Sequence, residues 1–229
     1  MRFRVLACAV CALLAAAGIA ACGSSSPASN GVASKSPAAI VSAAGKAVDG
    51  LKSVRIAGSL VSGTTPITLN IDLVAGKGAS GSMSESGLGF QIIAIGKAVY
   101  IDGSQAFWTH TGGAAMAALF KGKWLQTSAS GNFSSLSSLT NVRDLFPTLL
   151  GSTAVLVKGA TTTVRGQKVV AISDAAKSST LYVATTGPPY PIEVVGTGKQ
   201  VGTIIFEDFN QPVALKAPAH AINVSQLHG

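Results

Sequence analysis

The chain has 229 residues, 48% of them apolar and 11% charged, and 17 lysines and arginines against 9 acids give a formal charge of +8. Basic residues scattered singly, with Lys121 and Lys123 the one close pair beyond the N-terminus, lack the concentrated stripe of a nucleic-acid binder and read as a solvated surface. The three cysteines all lie by position 22, so no disulfide framework can hold the rest of the chain together.

Arg2 and Arg4 precede an uncharged core, Val5 to Ala17, and then small residues up to Cys22, which is the layout of a secretory leader. Alanine is the commonest residue of the apolar run, with Leu and Val in the minority, which argues for a cleaved leader over a membrane-spanning anchor. Cys8 and Cys11 have redox-motif spacing but fall inside this removed segment. Ile19-Ala20-Ala21-Cys22 resembles the bacterial lipobox, with isoleucine in place of the commoner leucine. The resemblance implies that Cys22 is acylated and becomes the mature N-terminus. Without Arg2 and Arg4 there are 15 basic residues against 9 acids, so the mature chain stays at +6, a balance suited to an anionic membrane surface.

Residues 23–35 are mainly Ser, Ala, Gly, Asn and Pro and read as a flexible tether. Ser36-Pro37 then predicts a helix start and Gly50 its stop, with Ile40, Ala44, Ala47, Val48 and Leu51 on one face. Strand signals begin at Ser53. Pro66 to Leu73 alternates apolar and polar, so Ile67, Leu69, Ile71 and Leu73 are expected to face a core and Thr68, Asn70 and Asp72 water. Strands are further predicted over 87–95, 97–102, 168–173, 180–184, 190–196 and 200–209, and in the last of these Ile204 and Phe206 join the apolar face. Two helices interrupt them: a short one over 113–121, and one from Ser134 carrying Leu136, Leu139, Val142, Leu145 and Leu149, ended or kinked by Pro147. The pattern is α+β, a large curved antiparallel sheet with helices packed on its apolar face.

Catalytic chemistry finds little footing. Gly76 to Gly81 matches GxGxxG but is followed by Ser82-Met83-Ser84-Glu85 and not by a helix, so a turn is expected there. His110, His220 and His228 have no metal-ligand partner at the required spacing, and no cofactor is expected. No serine stands in GxSxG or three residues before a lysine. Glu207 and Asp208 are the one adjacent acidic pair, and strand neighbours point to opposite faces. Phe107-Trp108 and Phe120 to Trp124 flank the expected short helix. Core closure is the favoured role for these aromatics, and a membrane interface or ligand mouth is the other.

Lys97 to Gly103 followed by Phe107-Trp108, and later Lys123-Trp124-Leu125, resemble strands of envelope lipoproteins. Leu181 to Ala184, Pro189 to Ile192, Gly202 to Phe206 and Asn210 to Val213 are similar to the closing strands of LolA-like lipoproteins and of the actinobacterial LppX and LprG group. The resemblance covers Ser36 to the C-terminus. It implies a half-barrel with helices over its concave apolar face, a cavity for acyl chains and no catalytic residues.

The expectation is a leader over 1–21, a lipidated tether over 22–35 and one lipid-binding domain over 36–229, about 190 residues and large enough to bury its own core. The protein is expected to be held by Cys22 at the extracytoplasmic face of the cell membrane and to carry a lipid or acylated ligand against Leu69, Ile71, Ile204 and Phe206. The alternatives are an envelope interaction module with a filled interior and, third, a hydrolase with a dispersed triad.

Overall fold

A computed structural model describes residues 27–128, 155–174, 176, 178–198 and 200–224. The expected leader, Cys22 and the predicted helix from Ser134 lie outside them. The described chain begins inside the expected tether, and that segment is packed onto the domain. Ser29 bridges Thr186, Asn30 Nδ2 donates to the Ala184 and Gly187 carbonyls, and Val32, in a 3-10 turn over Val32–Ser34, is buried. Lys158 Nζ donates to the carbonyls of Ala33 and Lys35, holding the segment down. The low-complexity composition conceals one well-placed asparagine and one apolar anchor.

Helix α1 (Pro37–Asp49) starts and stops where expected. The Ser36 hydroxyl accepts from the Ala39 amide, Pro37 occupies the first turn, and Ile40, Ala44 and Val48 are buried on one stripe. Strands follow as β1 (Ser53–Ser62), β2 (Thr65–Val74), β3 (Gly78–Glu85), β4 (Leu88–Ile95) and β5 (Ala98–Gly103). Helix α2 (Gln105–Phe120) comes next, then β6 (Leu125–Ser128), β7 (Leu156–Val164), β8 (Gln167–Asp174), β9 (Ser179–Ala184), β10 (Pro191–Thr197), β11 (Gln200–Glu207) and the short β12 (Ile222–Asn223). They form one open sheet in the order β12-β6-β5-β4-β3-β2-β1-β11-β10-β9-β8-β7, antiparallel except where β12 meets β6. Most neighbours are sequential hairpins, and the two halves of the chain meet at the seam between β1 and β11.

Three sequence expectations are corrected. Gly76 to Gly81 is a turn only in its first part, because Gly78 already belongs to β3, a strand of small and polar residues with few apolar ones to announce it. The short helix begins not at Gly113 but after Ser104, whose hydroxyl accepts from the Phe107 amide. Gly112 and Gly113 kink it midway, so Phe107 and Trp108 lie inside the helix. Glu207 and Asp208 do not sit as strand neighbours on opposite faces, since the strand ends at Glu207 and both approach Arg55 at 3.7 Å.

Helices α1 and α2 pack on the same face of the sheet. Ile40, Ala44 and Val48 of α1 join Val54, Ile56, Ile71, Leu73, Ile204 and Phe206 in one core. Trp108, Ala117 and Phe120 of α2 join Ile92, Ala94, Val99, Ile101 and Leu125 in a second. The α+β half-barrel with helices on its apolar face is as the sequence predicts.

Candidate functional site

Antiparallel register sorts the inner face into rows running across the strands. The innermost row is Val54, Leu73, Ala79, Ala94 and Val99, directly opposite one another from β1 through β5. The next contains Phe206, Ile56, Ile71, Gly81, Ile92, Ile101 and Leu125. A third runs Leu181, Val194, Ile204, Gly58, Leu69, Met83 and Phe90, and beyond it Leu60 faces Ile67. The first two rows are buried under the helices. Leu60, Ile67, Leu69, Met83, Phe90 and Val194 are half-buried. The inner face therefore passes from a close-packed core at one end to a half-buried apolar stretch at the other, called the trough below.

The expected ligand residues do come together. Ile71 faces Ile56, which faces Phe206, and Leu69 faces Gly58, which faces Ile204, so the four surround Ile56 and Gly58. Their surroundings differ. Ile71, Ile204 and Phe206 are 3%, 4% and 3% exposed, closed off with α1, whereas Leu69 sits at the edge of the trough. Leu60 and Val194 were legible as apolar positions in strand-like runs, but Met83 stands among serines and glycines and gives no signal in sequence.

At the α2 end an aromatic chain ties helix to sheet. Phe90 and Phe107 have ring centroids 5.0 Å apart, Phe107 and Trp108 4.9 Å, and Trp108 and Phe120 5.1 Å. Gly103 permits this, because a Cβ there would lie 2.3 Å from the Phe107 ring. Trp108 and Phe120 thus close a core, as favoured from sequence, and the Trp108 indole Nε1 is buried with no hydrogen-bond partner. Among the described residues no cluster of His, Cys, Asp or Glu could hold a metal, and no helix is long and apolar enough to cross a membrane.

LprF from Mycobacterium bovis matches 85% of this chain over its whole length, with a TM-score of 0.55 at 14% identity. The lipoprotein LppX of Mycobacterium tuberculosis matches 80%, again over its whole length, with a TM-score of 0.52 at 17% identity. This chain has their fold. At such identities the likeness reaches no further than the fold, and it agrees with the half-barrel that the LppX and LprG resemblance implies. The sequence matches no protein-family model and no curated protein.

Proposed function

We propose that the protein is a membrane-tethered envelope lipoprotein that works by binding and not by catalysis, holding the acyl chains of a lipid or acylated molecule in the trough of its inner face. The observation that carries this reading is the half-buried apolar set Leu60, Ile67, Leu69, Met83, Phe90 and Val194, continuous with the core and drawn from four adjacent strands plus β10. Each buried methylene contributes about 0.8 kcal/mol, so a long chain is held without any charged group. Cys22 supplies the anchor in this reading. Seven residue steps separate it from Ser29, the first described residue bonded to the sheet, which keeps the domain within roughly 25 Å of the bilayer surface.

A second reading, an interaction module whose interior is filled, is favoured by the close packing of Ile71, Ile204 and Phe206. One experiment separates the two. The Cys22→Ala protein, freed of its own acyl chains, is purified and extracted with organic solvent. Stoichiometric lipid supports the carrier, and a folded protein that yields none leaves the module. Partitioning of the wild type, but not of Cys22→Ala, into detergent tests the anchor.

A further inference from the structure

The outer face of the sheet carries a groove unrelated to the trough. It is about 420 Å³ in volume, within the usual range for small-molecule sites. Its floor crosses β1 to β4, three strand spacings or roughly 14 Å. Two rows of polar side chains line it. Asn70, Ser82 and Gln91 face one another across β2, β3 and β4, and Asp72 faces Ser80 in the adjoining row. The half-buried indole of Trp124, from the residue before β6, forms one wall.

The chemistry of this lining narrows the ligand. The side chains of Asp72, Ser80, Ser82 and Gln91 make no hydrogen bond to any described residue, so their donors and acceptors remain available. Arg55 is spoken for: its Nε donates to Asn70 Oδ1 at 2.8 Å, and it lies 3.7 Å from both Glu207 and Asp208. With that cation neutralised and Asp72 beside it, a phosphate or other anion gains nothing here. An extended peptide finds no free strand edge either, because every strand of the floor is paired on both sides. What fits is a neutral ligand with a flat apolar face and many hydroxyls on its rim. A strand spacing of about 4.8 Å is also close to the length of one pyranose ring. We propose that this groove is a saccharide-binding site, in which a sugar ring stacks on Trp124 and its hydroxyls bond to Asp72, Ser82 and Gln91.

The full-length protein in detergent provides its own reporter. It has two tryptophans, and Trp108 is fully buried, so fluorescence accessible to an aqueous quencher reports on Trp124. Titration with cellotriose and maltotriose, and with inorganic phosphate and a neutral tripeptide as controls, should protect Trp124 saturably with at least one trisaccharide and with neither control. Gln91→Ala, at an exposed position, and Asp72→Asn should each weaken binding at least tenfold with an unchanged melting temperature, whereas Ser59→Ala on the same face but outside the groove should bind as wild type. Co-flotation of Cys22→Ala with vesicles carrying a neutral glycolipid, abolished by the competing free trisaccharide, would assign the sugar to a lipid headgroup. Binding of free trisaccharide without flotation would assign it to a soluble or wall glycan. No saturable protection by either trisaccharide, equal affinity in Gln91→Ala, or protection by phosphate or peptide instead overturns the proposal.

Discussion

Gly58 stands at the seam where the two halves of the chain meet, with φ +152°, and a Cβ there would lie 2.1 Å from the Thr203 carbonyl oxygen. Gly58→Ala must push β1 and β11 apart, and a loss of about 1–3 kcal/mol is expected in the denaturation midpoint. Gly45, by contrast, lies within α1 at an ordinary φ with nothing near its missing Cβ, so Gly45→Ala should stabilise by about 0.5–1 kcal/mol. The sequence places Gly45 in a helix and Gly58 among strand signals, but only the neighbouring strand shows that Gly58 has no room for a Cβ. Asp102 offers a test by pH. Burial raises its carboxyl above the ordinary aspartate value, since the charged form loses solvation. The folded chain then holds the proton more tightly than the unfolded chain. Stability therefore falls as pH rises between the two pKa values and stays lowered above them. Asp102→Asn should raise the melting temperature at neutral pH and leave it unchanged below the ordinary aspartate range. An equal shift at both pH values would assign the effect to packing.

At the scale of elements, Ser104 caps α2 by accepting from the Phe107 amide at 3.1 Å, and Ser104→Ala should cost about 1 kcal/mol, read in a thermal or denaturant transition. That cap explains why α2 was only half legible. Gly112 and Gly113 interrupt the sequence pattern, and in the structure they do kink the helix, but the aromatic packing of Phe107 and Trp108 against Phe90 and Phe120 holds the first half helical all the same. Elements whose own residues alternate were readable: β2, β4, β5 and β8 to β11 all lie within a residue or two of expectation, as does α1 with its Ser36-Pro37 start. Of the strands that escaped, β3 and β7 are rich in Gly, Ser and Thr and form because hairpin turns at Ser86-Gly87 and Arg165-Gly166, all four residues at positive φ, return them onto neighbours that carry the apolar signal. The signal lies in the partner strand and the turn, and the residues of β3 and β7 by themselves do not carry it.

For the whole molecule, the proposed function asks one apolar face to serve both as a core and as a binding surface. The alternation in β2 and β11 placed Leu69, Ile71, Ile204 and Phe206 on one side of the sheet, and they are there. What alternation could not supply is depth along the strands, because α1 covers one end of the face and leaves the other half-buried. Two neighbouring positions on β2 should therefore respond in opposite ways to the same added ring. Ile71 is 3% exposed against Ile56 and Gly81, so Ile71→Trp overfills a closed space and should lower stability by about 1–3 kcal/mol or more, whether or not lipid is present. Leu69, two residues along, is half-buried, so on the carrier reading Leu69→Trp should be accommodated in the trough, change the denaturation midpoint little and displace lipid, as counted by native mass spectrometry. If Leu69→Trp destabilises as much as Ile71→Trp in a protein that never carried lipid, the face is packed along its whole length and the carrier reading gives way to the filled module.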